Sequence, residues 1–117
     1  MKQVKKSIKP IPSSYRGKKR YILFELISEK KLNEKDVSRE LWHNFLRLFG
    51  SIGCAKAKIW FILFDTKKNK GIIRCANETV EEVKAGLLFL KDVKGAAVIP
   101  KILLVSGSIK KLKEKIK

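Results

Sequence analysis

Residues that commonly carry catalytic or metal chemistry are scarce in this 117-residue sequence. It contains one histidine, His43, and two cysteines, Cys54 and Cys75, which form neither a CxxC motif nor a Cys/His cluster. A zinc site therefore has no support, and a glycine-rich phosphate loop is also missing. Because the N-terminal lysines precede no apolar segment of the secretory type, we expect a cytoplasmic protein with two reduced thiols.

Long apolar runs and acidic residues are also few. The longest apolar run, residues 59–64, is far shorter than the roughly 20 residues that span a bilayer, so we expect no membrane partner. The chain has 28 basic and 11 acidic residues, which gives a net charge of +17. Hydrophobic residues make up 44% of the chain, enough for one small globular domain.

The positive charge is concentrated at the two ends. Residues 1–20 carry eight basic side chains and no acidic one, and residues 108–117 carry five basic and one acidic. We therefore predict a basic arm at 1–19, a folded domain at 20–107 and a basic helix at 108–117. Blocks of one charge sign favour binding to nucleic acid phosphates, and a merely solubilising surface is the alternative.

Two stretches with apolar residues three or four positions apart predict helices. The first is capped by Asn33 and ends at Gly50. The second begins after Asn77 or Thr79 and closes at Gly95. At the start of this second helix, Glu82 would complete a capping box with Thr79. A third, short helix with Ile109, Leu112 and Ile116 on one face follows the turn at residues 106–108, where Ser108 can cap it.

Branched and aromatic residues predict four strands, at 21–27, 58–64, 72–75 and 97–105. The order β-α-β-β-α-β indicates an α+β sandwich of the ferredoxin-like or RNA-recognition-motif type, with a four-stranded antiparallel sheet and an added C-terminal basic helix. In that topology the first and third strands are central, and Pro100 favours an edge position or a bulge for the fourth.

Strands one and two are apolar on both faces, so the face opposite the two long helices needs a cover. The terminal helix can cover part of it, and we predict that a protein partner covers the rest, chiefly near the edge strand at 58–64. The predicted partner-binding residues are Tyr21, Leu23, Trp60, Ile62 and Phe64.

Catalysis by this chain alone is not expected. His43 has no partnered carboxylate or cysteine nearby in sequence, and Asp65 is typical of a turn at a strand end. We predict neither a catalytic residue nor a metal ligand. A small metal-dependent nuclease that uses His43 and Asp65 remains the alternative from a different functional class.

RNA contacts are expected through phosphates. Residues 70–74 are similar to the start of the third-strand motif of RNA-recognition domains, but the positions that would stack bases are aliphatic. Strands one and four are neighbours in the predicted topology, so the basic segment at 18–20 and the turn at 106–108 should meet. The predicted RNA-binding residues are Lys18, Lys19, Arg20, Ser106, Ser108, Lys110 and Lys111.

Five segments, taken together, resemble the archaeal ribonuclease P protein component 2 family, the small RNA-recognition-like subunit shared with eukaryal ribonuclease P and MRP. They are KKRYI, LWHNFLRLFG, AKAKIW, KGIIR and VSGSIKKLK, at residues 18–22, 41–50, 55–60, 70–74 and 105–113. The resemblance covers residues 10–115. It adds Lys56, Lys58 and Lys113 to the predicted RNA-binding residues.

The resemblance implies a non-catalytic subunit of an enzyme whose RNA removes the 5′ leader of precursor tRNA. It also implies ribonuclease P RNA as the ligand, a TIM-barrel-like subunit as partner in a heterotetramer of two of each, and Mg²⁺ as a requirement of the RNA-catalysed holoenzyme. The chain itself would bind no cofactor. A ribosome-associated RNA-binding module of the same fold is the nearest alternative.

Overall fold

The computed structural model describes residues 18–116. Of the predicted basic arm at 1–19, only Lys18 and Lys19 lie within this range. The strands are β1 (Lys19–Ile27), β2 (Trp60–Asp65), β3 (Lys70–Ala76), β4 (Asp92–Val93), β5 (Ala96–Ala97) and β6 (Ile99–Ser106). The helices are α1 (Glu34–Ala57), α2 (Val80–Leu87) and α3 (Ile109–Ile116), and a short 3-10 turn, Asn77–Thr79, precedes α2.

Four antiparallel strands form the main sheet, in the order β2-β3-β1-β6. The central strands are therefore the first and the third, as predicted, and Pro100 lies on the edge strand β6. The prediction of an α+β sandwich with an added C-terminal helix is confirmed. The small strands β4 and β5 form a separate hairpin.

Helices α1 and α2 cover one face of the sheet, which we call the helix face. Its core contains Phe24 and Leu26 of β1, Phe45 of α1 and Val83 of α2, all buried. Asn33 caps α1 as predicted, because its Oδ1 accepts a hydrogen bond of 2.8 Å from the amide of Lys35. The apolar spacing that predicted these helices corresponds to the side that packs on the sheet.

The predicted end of the first helix at Gly50 is wrong. The helix breaks there, since Gly50 has a φ of 73° and a ψ of 172°, but it resumes and continues to Ala57. Cys54 and Ala57 of the resumed segment are buried in the core, and this packing holds the extra two turns. Lys58, predicted to begin a strand, instead caps the helix in the left-handed conformation, with a φ of 53°.

Helix α2 is shorter than predicted. It ends at Leu87, and Gly95 belongs to the β4–β5 turn, where Lys94 and Gly95 have φ angles of 51° and 84°. The predicted capping box is also wrong, because the Thr79 hydroxyl donates a hydrogen bond to the carbonyl of Ala76 and accepts none from the helix. The turn needed two consecutive positive φ angles, and glycine supplies one of them without steric cost.

Helix α3 packs on the opposite face, which we call the second face. Its Leu112 and Ile116 bury Leu23 of β1 and Ile72 of β3 in a smaller core. A bulge in β2 lies between Phe61 and Leu63, so Phe61 and Phe64 both reach the helix-face core. A regular strand would place residues 61 and 64 on opposite faces.

Candidate RNA interface

The sheet register places four residues, one from each strand of the main sheet, in a single row on the second face. Trp60 pairs with Arg74, Arg74 with Tyr21, and Tyr21 with Ser106, so the row crosses all four strands. Lys19 lies two residues before Tyr21 on β1 and therefore projects to the same side. We call this end of the second face the basic end.

The two basic segments predicted to meet do meet here. Gly107 lies beside the Arg20 side chain. A Cβ atom added at Gly107 would be 3.3 Å from Nη1 of Arg20. The same Nη1 donates a hydrogen bond of 3.1 Å to the carbonyl of Lys19. The turn is closed by Ser106, whose hydroxyl accepts a hydrogen bond of 3.0 Å from the amide of Ser108.

The remaining predicted RNA-binding lysines surround this end. Because Leu112 and Ile116 of α3 face the sheet, its lysines point away from the sheet and are exposed. On the other side, the resumed segment of α1 leads into the start of β2 at the same end of the sheet. The predicted RNA-binding lysines in and beside these two elements are all exposed: Lys56, Lys58, Lys110, Lys111 and Lys113.

Arg74 was not among the predicted site residues, yet it occupies the centre of the row. Its guanidinium carbon stands 5.8 Å from the centroid of the Trp60 ring, a cation–π contact. Its Nε is buried and has no hydrogen-bond partner among residues 18–116. The sequence signal was the KGIIR segment, but only the strand pairing shows which neighbours Arg74 has.

The opposite end of the second face has a different charge pattern. There Asp65 pairs with Lys70, Lys70 with Glu25, and Glu25 with Lys101. Acidic and basic residues alternate across the four strands, so this row is neutral overall. We call it the alternating end. Between the two ends lies the apolar patch that α3 covers.

Two of the five predicted partner-binding residues are unavailable to a partner. Leu23 is covered by α3, and Phe64 is turned into the helix-face core by the β2 bulge. Tyr21 and Ile62 are half-buried beside the smaller core, whereas Trp60 is 61% exposed. The predicted partner surface thus reduces, on the second face, to the area around Trp60.

An apolar groove of about 380 Å³ runs between α1 and the free edge of β2. Leu41, Trp42 and Phe61 line it, and Trp60 borders it at the start of the strand. The backbone of this edge is already used at one point, where the amide of Phe64 donates a hydrogen bond of 3.1 Å to Oε2 of Glu34.

The residues considered for catalysis have other surroundings. His43 is exposed on α1, and Oδ1 of Asp65 accepts hydrogen bonds from the amides of Lys67 and Lys68 at 2.9 and 3.2 Å, which closes the β2–β3 turn. Within residues 18–116, no three His, Cys, Asp or Glu side chains are grouped to hold a metal ion. Burial raises the pKa of Cys75 to about 11, and Cys54 is also a buried free thiol.

Comparison with known proteins identifies the chain. The model of the Rpp14/Pop5 family matches residues 20–117. The chain belongs to the Rpp14/Pop5 family. Ribonuclease P protein component 2 of Pyrococcus furiosus is 44% identical over 92% of this chain and 89% of its own length. The protein of the same name from Archaeoglobus fulgidus is 41% identical over 92% of this chain and 96% of its own length.

The fold of this Rpp14/Pop5 protein also occurs in a solved assembly. A chain of the yeast ribonuclease MRP cryo-EM structure aligns with a TM-score of 0.63 at 13% identity, over 86% of this chain and 92% of that one. At that identity the likeness concerns the fold. None of the helices within residues 18–116 has the length and apolar character needed to cross a membrane.

Proposed function

We propose that this Rpp14/Pop5 protein is a protein subunit of ribonuclease P, the ribonucleoprotein that removes the 5′ leader of precursor tRNA. Its relatives at 41–44% identity carry the name ribonuclease P protein component 2. The structural observation that carries the proposal is the basic end, where residues 18–20 at the start of β1 meet the turn at 106–108. Such a surface is suited to the phosphates of a folded RNA.

The chain would contribute binding and not the cleavage step. Its phosphate contacts with the RNA would come from Lys18, Lys19, Arg20 and the lysines of α3 and the α1 end. These cations offset the repulsion between RNA strands that a compact catalytic domain brings together, and so lower the Mg²⁺ concentration that the RNA needs. The Mg²⁺ would be bound by the RNA.

A protein partner would use the groove between α1 and β2. The groove combines apolar side chains with the edge of a sheet, two features of surfaces that bind another chain. The partner proposed is the TIM-barrel-like ribonuclease P subunit, in a heterotetramer of two copies of each. Two buried free cysteines are consistent with the reducing environment of the cytoplasm, which we propose as its location.

Reconstitution with ribonuclease P RNA and precursor tRNA tests the proposal. The expected result is that the chain, with its partner, lowers the Mg²⁺ concentration required for 5′-leader removal. The chain with Mg²⁺ but without the RNA should release no leader. Cleavage by the chain alone would contradict the scaffold role and favour the nuclease alternative.

Isolation of the tagged chain from its native cells tests the choice of RNA. Ribonuclease P RNA and the TIM-barrel-like subunit should co-purify with it in similar amounts. Recovery of ribosomal RNA in their place would overturn the proposal in favour of a ribosome-associated module. A matched tagged chain with Ala at Lys18, Lys19 and Arg20 should recover less RNA, and this shows whether the recovery depends on the basic end.

A further inference from the structure

The indole of Trp60 is the starting observation. It is 61% exposed on the second face, whereas on the helix face Phe64 is buried and Phe61 is half-buried against the core. Helix α3 covers the middle of the face through Leu112 and Ile116. Trp60 therefore keeps a large planar surface in water next to a covered apolar core.

Arg74 holds this ring in place from one side. The contact of 5.8 Å between the guanidinium carbon and the ring centroid places the cation over one face of the indole. In the part of the chain that the structure describes, Arg74 forms no ion pair. An ordered ring beside an unneutralised cation is preorganised for a ligand that is both planar and anionic.

The charges nearby fit such a ligand. The four positions of the row, Trp60, Arg74, Tyr21 and Ser106, include no carboxylate. On the same face, Glu25 is four residues from Tyr21 along β1 and Asp65 is five from Trp60 along β2. These separations correspond to roughly 13 and 17 Å.

We infer that Trp60 and Arg74 form a stacking site for an unpaired nucleotide of RNA. The base stacks on the exposed face of the Trp60 indole, and an adjoining phosphate binds Arg74. The inference rests on the proposed function for the identity of the polyanion, and it changes the sequence-based expectation that RNA contacts would involve phosphates alone. An unpaired base is required because bases within an A-form duplex do not expose their ring faces to a side chain.

Fluorescence provides a direct test, since the chain has two tryptophans, Trp42 and Trp60. In the variant Trp42→Phe, emission reports on Trp60 alone. An oligouridylate of about 12 nucleotides, a length within the range that single-strand binding sites cover, should quench this emission to saturation. A blunt RNA duplex with the same number of phosphates should bind without quenching. Equal quenching by both, or by neither, would overturn the inference.

Affinity measurements on the full chain supply the second test. Trp60→Ala should weaken binding of the oligouridylate about 5- to 100-fold and leave the salt dependence of binding unchanged, because stacking releases no counterions. Trp60→Phe should retain most of the affinity. Phe89→Ala, which removes another exposed aromatic ring to which no binding role is assigned, is the matched control and should leave RNA binding intact.

The outcomes separate this inference from the function on which it rests. If Trp60→Ala binds the oligouridylate as tightly as the unchanged chain but no longer binds the protein subunit, Trp60 belongs to a protein interface and the stacking site is wrong. The proposed function would then stand. If the unchanged chain binds neither the oligouridylate nor ribonuclease P RNA, the proposed function fails as well.

Discussion

The two faces of the sheet are covered to different extents. On the helix face, α1 and α2 cover a core that includes Ile22, Phe24 and Leu26 of β1. On the second face, one short helix with two inward residues, Leu112 and Ile116, covers only the middle. Two ends therefore remain open on the second face; one is basic, and the other has alternating charges.

The charge pattern distinguishes the two open ends of the second face. At the alternating end, Glu25 lies between Lys70 and Lys101, so the basic residues there have acidic cross-strand neighbours. At the basic end, Arg74 and Lys19 have none in the sheet rows. The position of positive charge relative to negative charge, more than its amount, marks the end that is free to bind a polyanion.

The largest expected effect concerns the helix face. Phe45 is buried and stacks on Phe49 at 5.9 Å, at the contact between α1 and α2. Phe45→Ala should lower the free energy of unfolding by about 3–5 kcal/mol, because it removes an aromatic ring from a packed core. Urea denaturation followed by circular dichroism measures this. A loss below about 1 kcal/mol would contradict the view that this face carries most of the stability.

A smaller loss is expected on the second face. Leu112 of α3 is completely buried against the sheet, so Leu112→Ala should destabilise the protein by about 2–3 kcal/mol, near the low end for buried leucine, because a short peripheral helix can relax. Exposed Lys113→Ala, one residue further on, is the control and should change stability by less than about 0.5 kcal/mol. If the two variants unfold alike, α3 does not cover this face in solution.

Charge removal at the two ends should separate them. Alanine at Lys18, Lys19 and Arg20 should weaken binding to ribonuclease P RNA about 10- to 100-fold at moderate salt. It should also reduce the slope of log K against log salt by about 2–3. The control removes three charges near the alternating end, with alanine at Lys30, Lys70 and Lys101. Equal losses from both triple variants would show that net charge alone governs binding.

The smallest effect belongs to the alternating end itself. Glu25→Gln leaves Lys101 without an acidic cross-strand neighbour and leaves Lys70 with Asp65 alone, and it should cost about 0.5 kcal/mol of stability at low salt. The loss should vanish at about 1 M salt, where charges at these distances are screened. Thermal unfolding at the two salt concentrations measures it. A loss that persists at high salt would indicate a packing role for Glu25.

The fold could be predicted because the helical periodicity and the runs of branched and aromatic residues are both clear in the sequence. Val37, Leu41 and Phe45 repeat at helical spacing, and their side is the one that packs on the sheet. The resumed part of α1 was missed for the opposite reason. Only Cys54 and Ala57 are buried there, too few residues to produce a recognisable stripe, and Gly50 is a strong local signal for an end.

For the candidate site, the sequence predicts which segments adjoin but not which side chains lie on the surface. The meeting of residues 18–20 with the turn at 106–108 follows from the adjacency of the first and last strands. The failures at Phe64 and Leu23 come from the β2 bulge and from the packing of α3. A bulge adds one residue without a distinctive composition here, so counting alternate positions along β2 assigns Phe64 to the wrong face.

The strand order has a consequence for synthesis on the ribosome. The central strand β1 is synthesised first, but one of its two edges pairs with β6, which is synthesised last of the strands. Tyr21, for example, has no cross-strand partner on that edge until Ser106 has been synthesised. Until β6 has left the exit tunnel, β1 presents an unpaired edge, and Leu23 is without the helix that later covers it. During translation, chaperones that hold exposed strands should therefore bind this chain until β6 and α3 have emerged.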